Sequence, residues 1–196
     1  MMISWKDRDS DLKWPLSTEK KIDIFYQQTL GWQLHVADLL SNGGEELGNG
    51  RKVACIHHSG FAVLQICLSY LETIGKCRAL ANGDGANFRA GAKDVCPELA
   101  EFPKSECESL LDVLYHDARC GLYHNSRTRG VGLGQPQDGK ALAFDPEARK
   151  LVIDPKRLPK VLKAHLERYR TALLDPKNVT ARQHFVRWFD NNFGRS

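Results

Sequence analysis

The chain has 196 residues, of which 42% are hydrophobic and 27% charged. That usage is typical of a globular domain and excludes collagen-like, fibrous and intrinsically disordered chains. Its formal charge of +4 is too small to name a polyanionic partner, but it is unevenly spread. Residues 1–116 hold 12 basic and 16 acidic side chains, a net −4, whereas residues 117–196 hold 16 and 8, a net +8. A polyanion site is therefore expected in the second part. The six cysteines include no Cys-x-x-Cys pair, and no secretory leader or bilayer-length apolar run is visible. We expect a reduced, cytoplasmic, non-membrane protein.

The segment to about Pro15 is polar overall, with two tryptophans, Trp5 and Trp14, and reads as a docking arm or a loose terminus. Ser17 or Thr18 is the expected N-cap of a first helix, in which Ile22, Ile24, Phe25, Leu30, Trp32, Val36, Leu39 and Leu40 recur near helical spacing. Gly31 either bends that helix or is absorbed by it. The Gly- and Asn-rich stretch 41–50 ends it. A long core helix follows from about Lys52 to Leu80, marked by Ala54, Phe61, Leu64, Leu68, Leu71 and Ile74. Residues 86–103 read as a loop with short helical turns. Ser105 opens another helix, with Glu106 and Glu108 in its first turn, running toward Arg127. The runs Lys140–Phe144 and Lys150–Ile153 predict a β-hairpin. A helix after Pro159 and a terminal helix from about Thr180 to Phe193 complete the chain. The expected architecture is all-α: one domain over 1–196, an antiparallel up-and-down bundle. Its helical core spans about 17–130, its β-hairpin appendage about 140–154 and its C-terminal helices about 157–193.

Two possible metal or phosphate signals are weak. Cys55, His57 and His58 offer at most two ligands on one helical face, short of what zinc requires. Gly132-Leu-Gly134 precedes no helix and lacks the geometry of a phosphate cradle. The segment Tyr115-His-Asp-Ala-Arg119-Cys-Gly-Leu-Tyr123-His124-Asn125 is richer. On an α-helix His116, Arg119, Tyr123 and Arg127 fall within roughly 80° of one another, with His124 at the edge of that arc. A polar, solvated helix face accounts for the same pattern. Chemically, an imidazole that moves protons near neutral pH and a permanently charged guanidinium suit attack of an RNA 2′-hydroxyl on its own phosphodiester. His124 would act as general base or acid and Arg119 would stabilise the phosphorane, with no metal or cofactor.

Arg119-x4-His124 on a helix, within the string Arg-Cys-Gly-Leu-Tyr-His, resembles the R-x(4–6)-H ribonuclease motif of the HEPN superfamily. The run Leu68-Ser-Tyr70-Leu-Glu72-Thr-Ile74 is similar to the preceding core helix of one bacterial branch. The resemblance covers about residues 20–130. It implies a four- to five-helix bundle and a homodimer in which two motif helices form a composite cleft, with RNA as the substrate. It also implies a toxin–antitoxin or phage-defence setting with a partner protein. Carried over by position, Arg119 and His124 are the catalytic pair. Cys120 stands where family members often have a polar residue directly after the arginine, and Asn125 can supply a polar contact instead. Glu72 is expected either to orient Arg119 or to pair with Lys76 one turn along. His116, Tyr123 and Arg127 are supporting residues. A non-catalytic HEPN module that binds nucleotide or nucleic acid, or dimerises, is the alternative.

Overall fold

A computed structural model describes residues 2–79, 82–125, 127–128, 130–136, 139–145, 147–148 and 150–193. The fold is mostly helical, with two small sheets. Ser17 caps α1 (Thr18–Thr29) as expected, its hydroxyl accepting from the Lys20 backbone N–H. α1 passes through a π-helical stretch, Leu30–Leu34, into α2 (His35–Asn42) without a break. Gly31 is explained by the N-terminal arm: a Cβ there would lie 2.3 Å from Trp5 Cδ1, so the arm docks where the helix has no side chain.

The expected helix at Lys52 begins later. β1 (Gly44–Glu45) and β2 (Lys52–Val53) form a short antiparallel pair, and α3 spans Gly60–Cys77. Pairing of residues 52–53 as β2 and a turn at 57–59, with His58 at positive φ, delay the helix. Leu80, its expected end, lies outside the described residues.

The expected loop at 86–103 is instead α4 (Asp84–Val95) followed by a 3-10 turn, Pro97–Glu101. Its glycines read as breakers but serve packing. A Cβ on Gly91 would meet the Leu71 carbonyl oxygen at 1.9 Å, and one on Gly75 of α3 would meet the Asn87 carbonyl oxygen at 2.0 Å. The backbones of α3 and α4 touch at these two positions.

The motif helix runs from α5 (Lys104–Asp112) through a π-helical stretch, Val113–Cys120, into α6 (Gly121–Asn125). The expected hairpin exists as β4 (Leu142–Asp145) and β5 (Lys150–Ile153), though Pro146 and Arg149 of its turn lie outside the described residues. It belongs to a three-stranded sheet of order β3-β5-β4, in which β3 (Val131–Leu133) runs parallel to β5. Then α7 (Leu158–Leu174) and α8 (Val179–Phe193) pack back on α1 and α3. Phe185 and Trp188 each stand edge-on to Phe25 at 5.5 Å, so the C-terminal aromatics are core. Among the described residues no helix is long and apolar enough to cross a membrane.

A polar strut crosses the core. The Tyr70 hydroxyl lies 2.8 Å from His165 Nδ1, and His165 Nε2 lies 3.1 Å from Asp94, which also accepts two bonds from Arg78. It joins α3, α4 and α7. Burial pushes the Asp94 carboxyl up, but bonding to His165 and the Arg78 charge outweigh it and hold the group below its ordinary value.

Two predictions follow from this packing. Gly91→Ala should destabilise by about 3 kcal/mol in urea unfolding through backbone overlap, while Gly132→Ala, whose Cβ would find no atom closer than 4.0 Å, should change stability by under about 0.5 kcal/mol. Because the folded pKa of Asp94 is depressed, its contribution is full above the ordinary value of 3.8 and disappears as pH falls through the lower folded value. Asp94→Asn should therefore lose stability at pH 7 and show a shallower acid limb in pH-dependent unfolding.

Candidate functional site

Arg119 sits at the end of the π-helical stretch, with a side chain only 19% exposed. Its Nη2 donates to Glu72 Oε2 at 2.8 Å across the α3 interface. The other oxygen of Glu72 accepts from Lys76 at 2.6 Å, and Lys76 continues to Asp84 at 2.9 Å. Glu72 thus fills both roles that its position allows: it pairs with Lys76 at i+4 and it fixes Arg119. Two acids and two bases alternate, so the network is internally neutral. Burial weakens the charged form of Arg119, but Glu72's charge and bond overcome this and keep the guanidinium firmly protonated. Its Nε is buried without a hydrogen-bond partner among the described residues.

Aromatic rings frame this cation. The guanidinium carbon lies 4.6 Å from the Tyr123 ring centroid and 6.0 Å from that of Tyr115. Tyr115 is held above its ordinary pKa by burial first and by neighbouring Cys120 second, against the pull of Arg119. Cys120 interacts with both Tyr115 and Arg119, so a sulfur lies beside the arginine at the position expected to lack a polar helper.

The structure divides the arc drawn on an ideal helix. Arg119 faces Glu72, with the Tyr123 ring against its guanidinium. His116 turns the other way, its Nε2 3.3 Å from Arg89, which is itself paired with Asp112. His116, Asp117, Gly121, Asn125 and Arg127 line a separate cleft of about 200 Å³. The cause is the π-helical register: with i→i+5 bonding, each turn holds more residues and the angular positions drift from the α-helical count. Gly121 builds the cleft, since a Cβ there would lie 2.6 Å from the Arg127 carbonyl oxygen, and its absence lets the chain fold back.

His124 is exposed near the end of α6 and has no hydrogen-bond partner among the described residues. Tyr123 beside it is 46% exposed. Arg119 is thus anchored and mostly covered, whereas His124 is an exposed imidazole.

Cys55, His57 and His58 lie on a turn before α3, not on a helix. Among the described residues no group of three or more His, Cys, Asp or Glu side chains is placed to hold a metal. The basic C-terminal run is partly spent: Lys163 pairs with Asp38, Arg157 with Asp154 and Arg170 with Asp23. The tie between Arg119 and the Glu72–Lys76–Asp84 chain spans three elements, and sequence spacing shows only its i+4 part.

Compared with protein-family models, curated proteins and solved structures, the chain has no match.

The asymmetry of the Glu72 network can be measured. Glu72→Ala leaves Arg119 without its carboxylate and Lys76 with Asp84 alone, and should cost about 2–3 kcal/mol. Arg119→Ala leaves Lys76 on Glu72 and should cost about 1 kcal/mol. Chemical denaturation of the two variants checks the order.

Proposed function

We propose that the protein is a metal-independent endoribonuclease of HEPN type, acting as a homodimer with Arg119 and His124 as the reacting pair. One observation carries the reading: a cation held in place by Glu72 and framed by tyrosines lies on the same helix end as an exposed histidine with no hydrogen-bond partner among the described residues. Immobilisation suits an arginine that must meet charge as it develops, because its orientation is set before reaction. A free imidazole suits proton transfer.

In the proposed reaction the ribose 2′-oxygen attacks the adjacent phosphorus and the 5′-oxygen leaves. The 2′-hydroxyl proton passes to an imidazole, and a proton from an imidazolium reaches the leaving oxygen. The products are a 2′,3′-cyclic phosphate and a 5′-hydroxyl. If two motif helices face each other across a two-fold axis, two copies of His124 converge and divide these two tasks. Exposed Tyr123 would lie at that seam and offer a ring to a base. The resemblance also supports the HEPN-like up-and-down bundle and a defence or antitoxin partner, and the free cysteines support a cytoplasmic setting.

A non-catalytic nucleic-acid-binding or dimerisation module is the second reading. The neutralising bond from Glu72 and the sulfur of Cys120 beside Arg119 favour it.

The full chain should cleave single-stranded RNA in EDTA, and Arg119→Ala and His124→Ala should each slow cleavage by about 100-fold or more. Gel analysis of end-labelled RNA checks this. Absent cleavage, or equal cleavage by all three proteins, contradicts it.

A further inference from the structure

A larger cavity, about 620 Å³, opens where the turn before α3, the end of β3 and the entry to α7 meet. Its size falls within the range of ligand-binding clefts. It lies around the first residue of α3, Gly60, twelve residues from Glu72, hence about 18 Å along the helix from the Arg119 network. Its walls leave large apolar side chains open to solvent: Ile56 is 59% exposed, Phe61 43% and Leu133 37%. Gly60 shapes it, because a Cβ there would lie 2.5 Å from Leu133 Cδ1, and its absence lets Leu133 lean over the start of α3.

The polar groups of this cavity are biased toward anions. Lys156 is exposed and has no ion-pair partner among the described residues, and the imidazoles of His57 and His58 have no hydrogen-bond partner there. The one carboxylate in the lining, Asp154, is committed elsewhere. Its Oδ1 accepts from the backbone N–H groups of Lys156 and Arg157 at 2.8 and 3.2 Å, and its Oδ2 lies 3.5 Å from Arg157 Nε. An apolar hollow with an exposed ring, edged by an uncommitted ammonium and two free imidazoles, matches a ligand with a flat apolar body and one phosphate.

We infer that this cavity binds a nucleoside monophosphate, with the base against Phe61, Ile56 and Leu133 and the phosphate at Lys156. The same chemistry comes from a free nucleotide or from one nucleotide of an RNA strand. The site stands apart from Arg119 and does not depend on the chemistry there.

Cys55 reports on occupancy, because it lines the cavity and is exposed, whereas Cys120, beside Arg119, reports on binding at the other site. The full chain is alkylated with a maleimide and modification at each cysteine is followed by peptide mass spectrometry. AMP or UMP near ten times its Kd should slow Cys55 labelling by about fivefold or more, whatever its effect at Cys120. In Lys156→Gln and Phe61→Ala, both changed at surface positions, the concentration needed should rise about tenfold. A short oligoribonucleotide is tested on the Arg119→Ala protein, so that cleavage does not interfere. Protection by the oligonucleotide alone assigns the site to a strand, and protection by the mononucleotide assigns it to a free ligand. No protection by either, equal protection by adenosine or by inorganic phosphate, or protection indifferent to both substitutions overturns the proposal.

Discussion

The contact between the backbones of α3 and α4 is the constraint on which the rest of the structure depends. At Gly75 and Gly91 the helices approach so closely that a methyl group on either would overlap a carbonyl oxygen of the other. This depth brings Asp84 at the start of α4 to Lys76 of α3, and so closes the chain from Arg119 through Glu72. Farther along α4 it brings Asp94 to Arg78 and to His165 of α7. One crossing thus positions both the charged network of the candidate site and the polar strut of the core. The chain places glycine there despite its poor helix propensity, because backbone contact outweighs a loss of about 1 kcal/mol per residue.

This explains which elements were legible in the sequence. Helices with a capping residue and a stripe of large apolar side chains, such as α1 behind Ser17 and α7 with Leu162, Leu166 and Leu173, announce themselves locally. α4 does not: its buried face is made of Asn87, Phe88, Gly91, Ala92 and Val95, with only two large apolar side chains, and its glycines carry the local signal of a loop. The parallel pairing of β3 with β5 is likewise invisible, since Val131-Gly-Leu is too short to show alternation and its partner lies twenty residues on. The early boundary expected for α3 fails for a related reason. The β1–β2 pair and a turn with His58 at positive φ interrupt the apolar pattern between Ala54 and Phe61.

The candidate site was legible in composition and less so in geometry. Arg119, His124 and Glu72 stand out as residues, but the bond between Arg119 and Glu72 is suggested by the resemblance and not by spacing. The π-helical register does not follow, because hydrophobic positions at three and four residues are compatible with either winding. It separates His116, Asn125 and Arg127 into their own cleft and leaves Arg119 with the tyrosines. The charge asymmetry noted in composition also changes meaning. Several C-terminal cations are paired with acids of the first half, so the fold neutralises part of the polarity and leaves Lys156 among the uncommitted positions.

In the proposed reaction the RNA supplies its own nucleophile under the control of Arg119 and His124. One oligoribonucleotide made twice, once unmodified and once with a single 2′-deoxy residue at the cleaved position, distinguishes this chemistry from hydrolysis by water. The deoxy strand should survive at that position while the unmodified strand yields a 2′,3′-cyclic phosphate and a 5′-hydroxyl. Cleavage of the deoxy strand at the same bond, or products ending in a 3′-hydroxyl and a 5′-phosphate, would contradict it.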